Sequence, residues 1–189
     1  MNKDLMFSSQ DDQHFTPLSF LERLFEFSGE IHLDPCSNSL ENPNVPALSH
    51  YTEALDGLSQ AWVGKVYVNP PYGRGLSKWV DKAIEEYESK RASEIYILVP
   101  ARTDTQWHKA LDNYARCYLT GRLKFLNPAN KGNSAPFPSV IFYLGSRNFE
   151  FSNYWQKYGF VGLPSKNTFD RTMYQKEYMR NRRARLKTA

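Results

Sequence analysis

The sequence predicts one α/β domain with a shortened sheet, flanking helices and a basic C-terminal tail. Three observations carry that expectation. Val66-Tyr67-Val68 is a short apolar strand stopped by Pro70 and Pro71, which lack the N–H that a ladder needs. Ile95-Tyr96-Ile97-Leu98-Val99 is a continuous apolar run closed by Pro100, the pattern of a strand buried on both faces. Between them, Ser77 to Lys90 reads as an amphipathic helix. Trp79, Val80, Ala83, Ile84 and Tyr87 form one face, and Asp81, Lys82, Glu85, Glu86 and Lys90 the other. The 189 residues suffice for one domain with a real core, and not for two plus a linker.

The remaining elements follow in chain order. Residues 1–13 are polar and expected to be loose, as termini usually are. Thr16-Pro17 reads as a helix start, with threonine as N-cap and proline at the first helical position. Leu18, Leu21, Leu24 and Phe25 then recur at helical spacing, and Gly29 is a natural stop. Ile31-His32-Leu33 is a short strand that delivers Asp34 to its carboxyl end, where Pro35 breaks it. Residues 36–64 are rich in Ser, Asn and Pro. Roughly 29 residues cannot hold two further βα units, since one βαβ unit needs ~30. A long surface loop with at most one brief strand, near His50–Thr52, is expected there.

Past Pro100, Thr103 or Asp104 caps a helix to about Tyr114, and Cys117-Tyr118-Leu119 is a strand. Ser139 to Leu144 is another, stopped by Gly145. Lys124 to Pro138 contains three prolines and reads as a long loop, a length that often marks a binding element. From Phe149 the pattern weakens, with Tyr174, Tyr178 and Met179 forming one thin apolar stripe.

Composition excludes several classes. Apolar residues make up 41% and aromatics 15%, as in a folded globule, yet no apolar run approaches the ~20 residues of a membrane span. Met1-Asn2-Lys3-Asp4 is not followed by the apolar stretch of a signal peptide. Cys36 and Cys117 are too few for a disulfide framework or a cysteine-based zinc site, so a reducing cytoplasm is the default. His14, His32, His50 and His108 are scattered without metal-binding spacing, and no catalytic metal is expected. The net charge of +4 is unevenly placed. From Lys166 to Ala189, eight basic residues stand against Asp170 and Glu177, which leaves the remaining chain slightly acidic.

Asn69-Pro70-Pro71-Tyr72 sits at a strand's carboxyl end, where open α/β sheets bind their ligands. The Asn69 side-chain oxygen and the Pro70 carbonyl can both accept hydrogen bonds from one planar amino group. Held in that way, the nitrogen shifts towards sp³ and its lone pair becomes available for attack. Tyr72 offers a π-face on which the attached ring can stack, worth roughly 1–3 kcal/mol per base. For the four residues alone, a plain Pro-Pro turn is the alternative.

The surroundings narrow the choice. His14-Phe15-Thr16-Pro17, Leu33-Asp34-Pro35-Cys36 and Asp56-Gly57-Leu58 precede this run. Gly121-Arg122-Leu123-Lys124-Phe125 and Ala135-Pro136-Phe137-Pro138-Ser139 follow it. In that order and spacing the chain resembles the phage-type DNA N6-adenine methyltransferases, the Dam-like family, over roughly residues 9–145. The ordered set is far more specific than any member of it.

The resemblance implies a shortened Rossmann-like methyltransferase sheet, S-adenosylmethionine as cofactor, and double-stranded DNA with the adenine flipped out as partner. It implies Asn69, Pro70, Pro71 and Tyr72 as the catalytic run, with Tyr72 as the clamp. Thr16, Pro17, Asp34 and Pro35 become walls of the methionine and ribose region. Asp56 becomes the acid that meets the cofactor's adenine or ribose, a part Glu53 could equally fill, and Asp34-Pro35 alone could be a turn. Where Gly-x-Gly follows the first strand of most methyltransferases, this chain has Asp34-Pro35-Cys36-Ser37-Asn38.

For DNA, Arg74, Arg122 and Lys124 are candidate phosphate contacts, and Lys131-Gly132-Asn133-Ser134 is a candidate substrate-facing loop. Arg180, Arg182 and Arg183 lie in the tail, where clustered cations neutralise phosphates non-specifically. A solubilising end or an oligomerisation helix is the alternative for that tail. Residues 1–150 are expected to form the methyltransferase domain and 151–189 an extension ending in the basic tail. A bacterial cytoplasm and a phage or prophage origin go with the resemblance, and no membrane partner is expected. Rival activities are methylation of cytosine N4, an RNA base or a protein glutamine, and non-catalytic binding of nucleic acid.

Overall fold

The computed structural model describes residues 15–125 and 133–164. Helix α1 (Leu18–Ser28) buries Leu21 and Leu24 of the expected stripe together with Phe20, whereas Leu18 at its first turn is 67% exposed and Phe25 is only partly buried. Its start departs from the expected cap. Pro17 occupies the N-cap in extended backbone and no side chain caps the helix. The Thr16 hydroxyl is drawn inward to the Tyr67 hydroxyl instead, a buried tertiary partner displacing a local one. Gly29 ends the helix at a φ of 68°, and its N–H reaches the Phe25 carbonyl.

Strands β1 (Leu33–Asp34) and β2 (Ser49–His50) are two residues each and pair in parallel. Between β1 and the next long strand, the described chain adds only β2 and a 3-10 turn at Glu53–Leu55, in keeping with the loop and one brief strand expected there. Strand β3 (Gly64–Val68), helix α2 (Leu76–Glu88) and strand β4 (Ala92–Pro100) then form a strand–helix–strand unit with parallel strands. The faces of α2 fall as expected with one exception. Glu86 is fully buried, its carboxylate held by Lys82 at 2.6 Å and by Arg91.

Helix α3 (Gln106–Ala110) is capped by Thr105, later than the expected Thr103 or Asp104, and a 3-10 turn at Leu111–Asn113 extends it. Strand β5 (Ala115–Leu119) follows. The expected loop of residues 124–138 carries two short antiparallel strands, β6 (Lys124–Phe125) and β7 (Asn133–Ser134). Strand β8 (Ser139–Leu144), helix α4 (Asn148–Trp155) and strand β9 (Gly159–Gly162) complete the described chain. Helix α4 crosses the expected border at residue 150, burying Phe151 and Trp155, and β9 joins the same sheet beside β5. The fold therefore runs past that border.

The main sheet has the order β2-β1-β3-β4-β8-β5-β9. Strands β1 to β4 run parallel, whereas β8 is antiparallel to both its neighbours and β9 is antiparallel to β5. With seven strands the sheet is not short in number. What is shortened is the length of β1 and β2 and the helical cover between β1 and β3. The core runs through β3, β4 and β8, where Val66–Val68, Ile95–Val99 and Val140–Leu144 are fully buried.

At the amino end of β4, Glu94 receives Arg147 Nε at 2.7 Å and Nη2 at 2.8 Å, and the Tyr143 hydroxyl at 3.1 Å. Arg147 also lies over the Phe27 ring at 4.6 Å, tying α1 and the start of α4 to the sheet. At the other end, the chain leaves β1 to build outward on both sides, β2 on one and β3 on the other. Loops diverge at such a reversal and leave a crevice at the carboxyl ends of the strands.

Candidate active site

That crevice is a cleft of about 370 Å³, within the roughly 300–1,000 Å³ of small-molecule sites. Strand β1 delivers Asp34 and Pro35 to it, and β3 delivers Asn69 and Pro71. Thr16, from the turn before α1, and Glu53 and Asp56, from the loop after β2, complete the convergence of predicted residues. Pro17 and Pro70 are buried beside it.

Asp34 is only 3% exposed. One carboxylate oxygen accepts the Cys36 N–H at 3.0 Å, and among the described residues no cation pairs with it. Burial pushes its pKa up to about 7, with the Cys36 N–H pulling weakly the other way. A buried carboxyl that titrates near neutrality in a cleft is suited to receive a cationic or hydroxyl-bearing ligand. Burial likewise pushes the Cys36 thiol well up, with the Asp34 charge adding to it, so Cys36 is a neutral wall.

The Asp56-Gly57 turn closes on β1 because residue 57 has no side chain. A Cβ there would stand 2.1 Å from the Pro35 carbonyl oxygen. The Trp62 indole N–H fixes this turn by donating to the Gly57 carbonyl at 2.8 Å, and Trp62 stacks 6.1 Å from Trp79, itself at the cleft. Glu53 and Asp56 both reach the cleft as exposed acids, so either can meet a ligand at its mouth.

Asn69 is held at both ends. Its Nδ2 donates to Thr16 Oγ1 at 3.1 Å, and its Oδ1 accepts the Tyr72 hydroxyl at 2.7 Å. Thr16 Oγ1 also lies 2.9 Å from the Tyr67 hydroxyl, and the Asn44 Nδ2 donates to the Thr16 carbonyl at 3.2 Å. Burial pushes the Tyr67 and Tyr72 hydroxyls well above their usual range, so both stay protonated. Tyr72 differs from the open stacking face expected of it. Its ring is 5% exposed and meets the rings of Phe125 and Phe137 edge-on at 5.9 and 5.4 Å. The aromatic contacts and the bond to Asn69 together turn the ring inward.

Arg74 is exposed on the turn between β3 and α2. Arg122 and Lys124 are exposed on the segment that ends in Phe125, one of the rings against Tyr72. Arg180, Arg182 and Arg183 lie outside the described residues, as do Lys131 and Gly132.

Sequence reasoning missed Tyr67 and Asn44. In a strand buried on both faces, every position reads as apolar packing, so nothing marks the Tyr67 hydroxyl as part of a polar chain. Asn44 lies among other Ser and Asn residues with no pattern to single it out. Phe125 and Phe137 did carry a signal, their aromatic character inside motifs that flank the site.

The mixed α/β sheet, with an acid at the carboxyl end of β1 and a carboxamide just past β3 at one cleft, is consistent with a methyltransferase fold. The family model described as DNA N-6-adenine-methyltransferase (Dam) matches residues 5–161, and the chain belongs to that family. No curated protein gives a significant match. Membership supports methylation of adenine N6 in DNA as its activity, and implies DNA as substrate and S-adenosylmethionine as donor. Among the described residues, no helix is long and apolar enough to cross a membrane.

Proposed function

We propose that the chain transfers a methyl group from S-adenosylmethionine to N6 of an adenine flipped out of double-stranded DNA, with Asn69-Pro70-Pro71-Tyr72 holding the amino group. The observation that carries this is the Asn69 carboxamide, fixed from two sides at the cleft beside the buried Asp34. The residues present fit the cofactor. Asp34 would hold an ammonium or ribose hydroxyl, Thr16 and Pro35 would form walls, and Asp56 or Glu53 would meet the nucleoside end; all of them line the cleft.

When bound, S-adenosylmethionine supplies an electrophilic methyl carbon on a sulfonium. The chain's own task is to present the amine in line, about 3 Å away, with its lone pair localised. Asn69 Oδ1 and the Pro70 carbonyl accept the two N–H bonds of N6. The Tyr72 hydroxyl, now on Oδ1, has the Leu98 carbonyl at 3.4 Å as a second acceptor, so it can yield the Asn69 oxygen to the substrate. To act as the clamp, the ring must also turn out from Phe125 and Phe137. No strong base is required, because the amine sheds its proton after attack.

Extruding the base costs a few kcal/mol, which contacts to the flanking phosphates offset. We assign those contacts to Arg74, Arg122 and Lys124, exposed on the segments next to Tyr72 and Phe125, and a non-specific hold on the duplex to Arg180, Arg182 and Arg183. A bacterial cytoplasm, a phage or prophage origin and protection of DNA from restriction are the context we attach to the phage-type resemblance.

The test is transfer of tritium from labelled S-adenosylmethionine to unmethylated DNA, followed by nucleoside analysis. Label in N6-methyladenine is expected. Label confined to N4-methylcytosine overturns the choice of base. Asn69→Ala is expected to lose about 10²–10³ in turnover, as when one preorganised hydrogen-bonding group is removed from an active site, while keeping its cofactor affinity. Near-normal turnover would take Asn69 out of the mechanism.

A further inference from the structure

Tyr67 has no part in the chemistry above and does not line the cleft, yet its hydroxyl ends the chain of hydrogen bonds that holds Asn69. Its ring is fully buried in β3, 6.4 Å from the ring of Phe20. The hydroxyl lies 2.9 Å from Thr16 Oγ1, which accepts from Asn69 Nδ2 at 3.1 Å. Asn69 Oδ1 accepts from Tyr72 at 2.7 Å. The carboxamide thus turns its NH₂ to Thr16 and its oxygen to Tyr72.

Thr16 has one hydroxyl proton. When Thr16 donates it to the Tyr67 oxygen, Oγ1 has only lone pairs left for Asn69, which must then turn its NH₂ that way and its oxygen towards Tyr72. If Thr16 gave its proton to Asn69 instead, the carboxamide would turn over. The target amine would then meet another NH₂, donor against donor. We propose that Tyr67, acting through Thr16, is a positioning residue that fixes which end of the Asn69 carboxamide faces the target amine. The proposal rests on the role given above to Asn69.

Tyr67→Phe tests it, because the ring stays and only the hydroxyl goes. Turnover is expected to fall about five- to tenfold, the worth of one neutral hydrogen bond, with the cofactor Kd from calorimetry unchanged. A carboxylate presents like oxygens at both ends and has no orientation to lose. In an Asn69→Asp background, Tyr67→Phe should therefore add no further loss. Equal losses in both backgrounds, or a matching fall in cofactor affinity, would make Tyr67 a packing residue and overturn the proposal.

A second readout needs no turnover. In ¹⁵N-labelled protein, solvent exchange of the Asn69 side-chain NH₂ should quicken several-fold in Tyr67→Phe, and unchanged exchange would also overturn the proposal. Normal turnover in Asn69→Ala would remove the methyl-transfer role itself. An inactive Asn69→Ala beside a fully active Tyr67→Phe would remove only the positioning.

Discussion

The two ends of the sheet treat buried carboxylates in opposite ways. At the amino end, Glu94 is 8% exposed and is met by two nitrogens of Arg147 and by two tyrosine hydroxyls. Desolvation pulls its pKa up, but the bonds from Arg147 and Tyr96 outweigh it and the net shift is down. Glu86 on α2 behaves alike, with Arg91 and Lys82 overcoming its burial. At the carboxyl end, Asp34 is as deeply buried and has one backbone N–H in place of a cation, so its pKa moves up to about 7. Stability alone favours the first arrangement. The second keeps a carboxyl short of partners in a cleft, where a ligand can supply what the fold withholds.

On that contrast, the largest stability effect belongs to the satisfied end. Arg147→Met should cost about 3 kcal/mol in denaturant unfolding, the low end for stranding one member of a buried pair, because Arg147 is itself partly exposed. A loss below about 1 kcal/mol, the scale of a surface pair, would mean that the Glu94 cluster is not an anchor.

Asp34→Asn should act the other way. A carboxyl whose pKa rises on folding binds more protons folded than unfolded, so stability falls as pH rises from 3.8 to about 7. Asp34→Asn removes that slope and should stabilise the protein by about 1–3 kcal/mol at pH 8, while weakening cofactor binding at least tenfold. In the parent chain, cofactor affinity should drop as pH falls below about 7. A variant that binds cofactor normally would make Asp34 a turn residue. By contrast, the depressed carboxylates Glu94 and Glu86 contribute stability that is full above 4.5 and lost as pH falls below it.

The smallest effect concerns whether the carboxyl end works alone. Deleting residues 166–189 should weaken DNA binding and flatten its salt dependence, the log–log slope shrinking by about 0.9 for each phosphate the tail no longer neutralises. Affinity and slope unchanged would assign the tail another use.

Much of this was legible because the signals are local. Prolines after Val68 and Val99 mark strand ends, and the apolar spacing of α2 sets most of its face, so Asp34 and Asn69 could be placed at strand ends from sequence alone. What escaped depends on partners distant in sequence. Thr16 looked like an N-cap because Thr-Pro is a local cap pattern, and only the arrival of Tyr67 from β3 reassigns its hydroxyl. Glu86 sits on a face that charge alone assigns to solvent, and Lys82 and Arg91 reverse that. Helix α4 and strand β9 were missed because eight and four residues carry too few repeats to show a period, although Phe151 and Trp155 stand four apart. The inward turn of Tyr72 needs Phe125 and Phe137, whose flanking motifs are legible but whose contact with Tyr72 only the fold creates.

Strand β8 lies between β4 and β5 although it is made after both. As the chain is synthesised, β4 therefore waits for its second neighbour, and β5 for its first, until residues 139–144 have emerged. The half that carries the cleft is complete earlier, but with the hydrophobic edge of β4 uncovered. Pairings this far apart in sequence form slowly and expose such edges to other chains. A chain interrupted before Ser139 would hold every residue proposed here for chemistry and still be prone to aggregate. The order of synthesis thus makes β8 the clasp of a fold whose working parts lie elsewhere.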